Sequence, residues 1–210
     1  MLIIGLTGSI GMGKTTTAAC FAKRGVPVLD ADAEVHRLYE GAAVPLIEAA
    51  FPGTTEEGKV DRARLAEAIS GAPEKLKALE EIVHPLVLRA EFAFLEKQEK
   101  AGTEIALLEI PLLFEAGAQT RVDVTVVVSA PADAQRERVL SRPGMSEEKF
   151  NALLARQLLD AAKRERADFV IDTGGSLEAV QEQVDAILEQ VKSRQGLAME
   201  SLRAMLASPD

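Results

Sequence analysis

Short apolar runs alternate along the chain with longer stretches of helical spacing. Residues 2–6 are apolar, with β-branched Ile3 and Ile4, and close on Thr7-Gly8, as a buried strand does. Residues 15–24 follow with Ala18, Ala19, Phe21 and Ala22 at helical positions, then Gly25 as a stop and Pro27 beyond it. Residues 26–29 form a second short strand that ends at Asp30-Ala31-Asp32, and 33–39 are helical. From 45 to 98 the spacing is helical with no strong strand: 60–70, 73–83 with Pro73 at a helix start, and 85–100 opened by Pro85. Residues 103–108 are the third strand, ahead of Glu109. Residues 122–129, almost continuous Val, are the fourth.

Beyond the fourth strand the pattern gives a helix over 131–141, a break at Pro143-Gly144 and a long polar helix over 146–166 opened by Ser146. A last strand near 168–172, an amphipathic helix over 177–191 and a further short helix after Gly196 complete it. Strands alternating with helices predict an α/β fold built on a five-stranded parallel sheet. Ligands then bind beyond the carboxyl ends of the strands. That places Gly8–Thr15, 30–36, 109–115 and the region after Ser129 at the mouth.

The segment after the first strand is Gly8-Ser9-Ile10-Gly11-Met12-Gly13-Lys14-Thr15, which fits G-x-x-x-x-G-K-[ST]. Glycines let successive backbone N–H groups turn toward one point, and the following helix adds its positive end. Lys14 then reaches the β- and γ-phosphates of a nucleotide, and the Thr15 hydroxyl binds Mg²⁺. A dinucleotide fingerprint does not fit, because Thr16 occupies the place of its third glycine.

Composition narrows the class. The 210 residues carry 24 Lys+Arg against 33 Asp+Glu, a net charge of −9. No global basic footprint for nucleic acid exists, and no stretch approaches a membrane span. A single cysteine, Cys20, and two histidines argue against a disulfide framework and against Cys-rich or multi-His metal sites. The N-terminus lacks signal-peptide character. A cytoplasmic protein without nucleic-acid or membrane partners is expected, as a monomer or weak homo-oligomer.

No guanine-reading N-K-x-D occurs, so a switch GTPase is excluded. Residues 136–166 hold eight basic against five acidic side chains. A basic helical hairpin on an acidic body suits a lid over phosphates, as in a small-metabolite kinase. Arg138 and Arg142, one helical turn apart, can clasp phosphates with their planar forks.

In this order the motifs resemble the dephospho-coenzyme A kinase family over residues 2 to about 174. The chain carries L-T-G-x-x-x-x-G-K-T at Leu6 to Thr15 and D-A-D-x-x-x-H through Asp30, Asp32 and His36. It continues with His84-Pro85, P-L-L-F-E from Pro111 to Glu115 and Q-x-x-R-x-x-x-R at Gln135, Arg138 and Arg142. A later Gln157 and the closing Ala167, Asp168, Val170 and Ile171 complete the set. Thr173 stands where the family usually has Asn. Leu153 stands where it often has Arg, with Arg156 the nearest replacement.

The resemblance implies a P-loop domain spanning 1–210, with a helical acceptor subdomain at about 45–100 and a lid at about 135–165. It implies transfer of the ATP γ-phosphoryl group to the ribose 3′-hydroxyl of dephospho-CoA, with ATP and Mg²⁺ as cofactors and those two substrates as partners. Asp32, Lys14 and Arg142 are then catalytic. ATP is bound by Gly8, Ser9, Ile10, Gly11, Met12, Gly13, Lys14, Thr15, Thr16, Arg138 and Arg142. The acceptor is bound by Asp32, His36, His84, Leu113 and Glu115. Mg²⁺ is held by Thr15, with Asp32 or Glu109 reaching it through water. A nucleoside-monophosphate-type kinase and a non-catalytic ATP-binding regulator are the alternatives. The acidity of Asp30, Asp32 and Glu34 favours a hydroxyl over a phosphate acceptor.

Overall fold

The computed structural model describes residues 1–207; the last three residues of the predicted domain and tail lie outside the described residues. The chain divides into two compact units, one of residues 1–29 with the chain from Lys97 onward, the other of Asp30–Glu96.

In the first unit the apolar runs pair side by side. Strands β1 (Leu2–Thr7), β2 (Val28–Asp30), β5 (Ile105–Glu109), β6 (Val124–Ser129) and β7 (Phe169–Asp172) form one sheet in the order β2-β5-β1-β6-β7. β1 runs parallel to both β5 and β6, and β6 to β7. The chain thus returns to either side of β1, so the loop leaving its carboxyl end opens at the switch point of the sheet, where such folds bind ligands. Helices α1 (Lys14–Lys23) and α9 (Leu177–Val191) pack together. Phe21, Leu107, Val126, Val128, Ile171, Val184 and Ile187 form the core beneath them. Each such side chain, fully buried, contributes about 1.5–3 kcal/mol.

Helix α10 (Ala198–Ala207) realises the predicted last helix, and it docks rather than trails. Asp123 Oδ1 accepts from the backbone N–H of Leu197 and Ala198, while Oδ2 accepts from Ile3 N–H in β1. Leu202 and Met199 are buried there.

The second unit has its own core of Leu38, Ile47, Phe51, Val60, Leu65, Leu79 and Val83. These residues come from α2 (Ala31–Leu38), α3 (Val44–Ala50), α4 (Arg62–Ile69), α5 (Pro73–Lys100) and the short hairpin of β3 (Thr55–Glu56) and β4 (Lys59–Val60). The sequence reading placed no strong strand here. The hairpin is only two residues deep and turns on Glu57-Gly58, both at positive φ, as a tight primed turn requires.

Two further expectations are corrected. Pro85 does not open a helix; it sits inside the 28-residue α5. One lost N–H costs a helix about 3 kcal/mol, and burial of Leu79 and Val83 in the second core offsets it. Nor is 146–166 one helix: α7 (Glu147–Leu154) and α8 (Asp160–Arg166) are separate. The break frees Leu158 N–H and the Gln157 side chain for contacts elsewhere in the first unit.

Candidate active site

The loop after β1 curls because two glycines accept backbone that other residues resist. Gly11 and Gly13 have φ of 78° and 84°, and a Cβ on Gly11 would lie 2.5 Å from Val139 Cγ2. Gly13 caps α1, so Lys14 and Thr15 begin the helix. Both aim at one buried carboxylate at the end of β5. Lys14 Nζ lies 2.8 Å from Glu109 Oε1, and the Thr15 hydroxyl donates to the same oxygen at 3.1 Å. Glu109 is buried, so the acid is held by its partners rather than by water.

The outer side of the loop is fixed by side chains from the region of α6 (Ala132–Leu140), α7 and α8. The Ile10 peptide is gripped at both ends: Gln135 Nε2 donates to its carbonyl at 2.7 Å, and its N–H donates to Gln157 Oε1 at 3.1 Å. The Thr173 hydroxyl donates to Met12 O at 2.8 Å, and Arg138 donates to Thr173 O at 2.7 Å. A cleft of about 320 Å³ opens beside these groups, lined by Gly11, Gly13, Thr16, Arg138, Arg142 and Thr173. Its far wall is Ser176, Leu177 and Val180.

Of the residues singled out from the sequence, the first unit gathers Gly11, Gly13, Thr16, Arg138 and Arg142 around this cleft, with Lys14 and Thr15 meeting at Glu109. Asp32, His36 and His84 belong to the second unit. Asp30 is the N-cap of α2, accepting from Asp32 N–H and Ala33 N–H, which leaves the Asp32 carboxylate exposed and free of capping. His36 follows one turn later with Arg62 Nη1 3.1 Å from each ring nitrogen. His84 is exposed on α5, inside the helix rather than extended at its start.

Leu113 is a correction. It is 0% exposed in the core, so its side chain has no surface for an acceptor; the neighbour that is exposed is Leu112. Glu115 is engaged within the first unit. Its Oε1 accepts from Leu158 N–H at 2.9 Å and lies 2.9 Å from Lys163 Nζ, which is fully buried. Burial pushes the Glu115 carboxyl up, but the Lys163 ammonium and the Leu158 N–H more than reverse it, leaving it below the ordinary carboxylate value.

Sequence reasoning gave Gln135 and Gln157 no site role and did not single out Lys163. A glutamine in a helical stretch carries no local signal of a partner far away in the chain.

The loop, the paired lysine and threonine and the arginine-lined cleft describe a nucleotide site. A sequence profile of the family described as "Dephospho-CoA kinase" matches residues 2–179. The chain belongs to the dephospho-CoA kinase family. A curated "Dephospho-CoA kinase" from Agrobacterium fabrum is 60% identical over 91% of this chain and 98% of its own. A solved structure from Thermus thermophilus is 39% identical, with a TM-score of 0.79 over 90% of this chain and 97% of that one. A dephospho-CoA kinase from Campylobacter jejuni aligns at TM-score 0.66 and 26% identity, covering 90% and 96%.

Thr173, at the family's usual Asn position, makes its own tether. Replacing it by Val keeps the shape and removes the bond to Met12 O, a loss of about 1 kcal/mol. Thr173→Val is expected to raise KM for ATP roughly fivefold, by that same bond energy, with KM for the acceptor unchanged. Steady-state kinetics in each substrate checks it; an unchanged KM for ATP would mean the tether does not shape the nucleotide site.

Proposed function

We propose that the chain transfers the γ-phosphoryl group of ATP to the ribose 3′-hydroxyl of dephospho-CoA, giving coenzyme A and ADP. The observation that carries this reading is the convergence of Lys14 and Thr15 on Glu109, beside a cleft holding Arg138 and Arg142, in a member of this family.

The residues act by position and charge. Loop N–H groups and the N-terminus of α1 hold the phosphates. Lys14 Nζ exchanges Glu109 for phosphate oxygens, so its charge always has a partner. Asp32 accepts the proton of the 3′-hydroxyl as the new O3′–Pγ bond forms and the bond from Pγ to the β-bridging oxygen breaks. Arg142 and Lys14 take up the charge on the transferring group. His36 and His84 contact the acceptor. Glu115 fixes the segment at Leu158, next to the Gln157 that holds the phosphate loop at Ile10, and so acts on the nucleotide side.

Thr15 Oγ1 and Glu109 Oε1 are hard oxygen donors 3.1 Å apart, a pair that fits Mg²⁺, with Thr15 as direct ligand and Glu109 reaching through water. Bound there, Mg²⁺ would neutralise β- and γ-phosphate charge. No helix among the described residues is long and apolar enough to cross a membrane. A cytoplasmic monomer or weak homo-oligomer accords with this reading, and Cys20 is buried as a free thiol.

ADP release from ATP and Mg²⁺ tests the proposal, with dephospho-CoA, AMP and other nucleoside monophosphates offered in turn. Turnover that depends on dephospho-CoA is expected. Turnover with a nucleoside monophosphate instead would place the chain among kinases of phosphate acceptors, and hydrolysis indifferent to any acceptor would make it a regulator.

A further inference from the structure

The second unit is acidic, with seven Lys/Arg against fourteen Asp/Glu among residues 30–96. Its cations are mostly spoken for. Arg37 pairs with Glu34, Lys59 with Glu40 at 2.8 Å, Arg64 with Glu56 and Asp61, and Lys77 with Glu81, while Lys75 reaches the Ala68 carbonyl. Arg62 is different. Among the described residues no carboxylate lies within ion-pair distance of it. Its one side-chain partner is the His36 ring, 3.1 Å from Nη1 at either nitrogen. Nε and Nη2, which form the planar fork with Nη1, are uncommitted.

The pairing with a histidine leaves the guanidinium charge open to an anion. An arginine set against an imidazole has no counter-charge, in a unit where acids outnumber bases two to one. Arg62 is also the first residue of α4, directly after the N-cap Asp61. The neighbouring acids have partners other than Arg62, Asp61 pairing also with the Arg64 side chain. Asp61 turns its Oδ1 to Ala63 N–H and Arg64 N–H, and Glu40 is held by Lys59.

We propose that Arg62, with His36, binds the 5′-diphosphate of the acceptor. The inference rests on the kinase reading above and extends it to a residue that reading leaves unused. Asp32 and His36 share one face of α2, four residues and about 6 Å apart. On a nucleotide the 3′-oxygen and the 5′-phosphate project from opposite sides of the ribose and span a comparable distance. An acceptor with its 3′-hydroxyl at Asp32 therefore lays its diphosphate along α2 toward His36. There the guanidinium fork can take two phosphate oxygens at once, and the imidazole adds a hydrogen bond. The acceptor carries this charge whichever group is transferred, so Arg62 supplies binding rather than chemistry.

The test is steady-state kinetics of wild type, Arg62→Lys and Arg62→Ala at low and high salt, with dephospho-CoA and ATP each varied, and thermal melts alongside. Losing a charge-assisted fork should raise KM for dephospho-CoA tenfold or more in Arg62→Ala, with an intermediate rise in Arg62→Lys and KM for ATP unchanged. The rise of the acceptor KM with salt in wild type should flatten in Arg62→Ala. An unchanged acceptor KM, an unchanged salt dependence, or a rise in both KM values with a lowered melting temperature would overturn the proposal. Absence of dephospho-CoA turnover in wild type would instead overturn the kinase reading on which it stands.

Discussion

Asp32→Asn is expected to lower kcat by about 10²–10⁴, the usual worth of a positioned general base, with KM for ATP little changed. The amide keeps the size of the carboxylate and loses its ability to accept the proton of the hydroxyl. The substitution is informative because α2 does not depend on it for its start. Asp30 carries the cap, accepting from Asp32 N–H and Ala33 N–H at 2.8 and 3.2 Å. What Asp32 gives the helix is only the attraction of an exposed acid for the first turn, about 0.3–1 kcal/mol, or at most a few degrees in melting temperature for a chain of this size. A single-turnover measurement of phosphoryl transfer isolates the chemical step. A rate within tenfold of wild type would remove Asp32 as the base and leave the enzyme to deprotonate its acceptor otherwise. Asp30→Ala is the complementary case: loss of a cap of about 1 kcal/mol, with an effect on stability before any on chemistry.

The division of labour between these two aspartates shows how far the sequence could be read. The phosphate loop was legible because its glycines, lysine and threonine act locally, between a strand and a helix adjacent in the chain. The run of valines in β6 was legible for the same reason, having no stable place but a buried strand. What was hidden depends on distant partners. Leu113 and Leu112 are adjacent and equally apolar, yet only one is buried, and burial is decided by where β1 and residue Val122 pass. Pro85 signals a helix start until packing holds the helix through it. The gap between α7 and α8 has no Gly or Pro to announce it. It exists because Gln157 is needed at Ile10 and Leu158 at Glu115, 147 and 43 residues away.

That same gap leads to the largest expected effect on stability. Lys163 Nζ is fully buried, and its ion pair is with Glu115, whose side chain is 15% exposed. Glu115→Gln leaves a buried ammonium without a counter-charge, which should cost about 3–5 kcal/mol, or roughly 6–20 °C in melting temperature at this chain length. Lys163→Met should cost less, because the carboxylate it strands keeps the Leu158 N–H at Oε1 and can take up a proton, as a buried acid without a counter-charge does. The double variant should be more stable than Glu115→Gln alone, since a buried pair removed together sheds its desolvation penalty with its attraction. The pH dependence has a definite sign. The folded Glu115 pKa lies below the ordinary 4.5, so its contribution is complete above that value and is lost as pH falls through the folded pKa. The gap in stability between wild type and Glu115→Gln is therefore widest near neutrality and closes on acidification. Because Glu115 holds Leu158 next to Gln157, the variant should also bind ATP more weakly, through the loosened Ile10 peptide. Thermal melts of all four proteins across pH decide the matter: a Glu115→Gln protein melting within about 2 °C of wild type near neutrality, less than the shift of a single kcal/mol, would show that water or another group already answers the Lys163 charge.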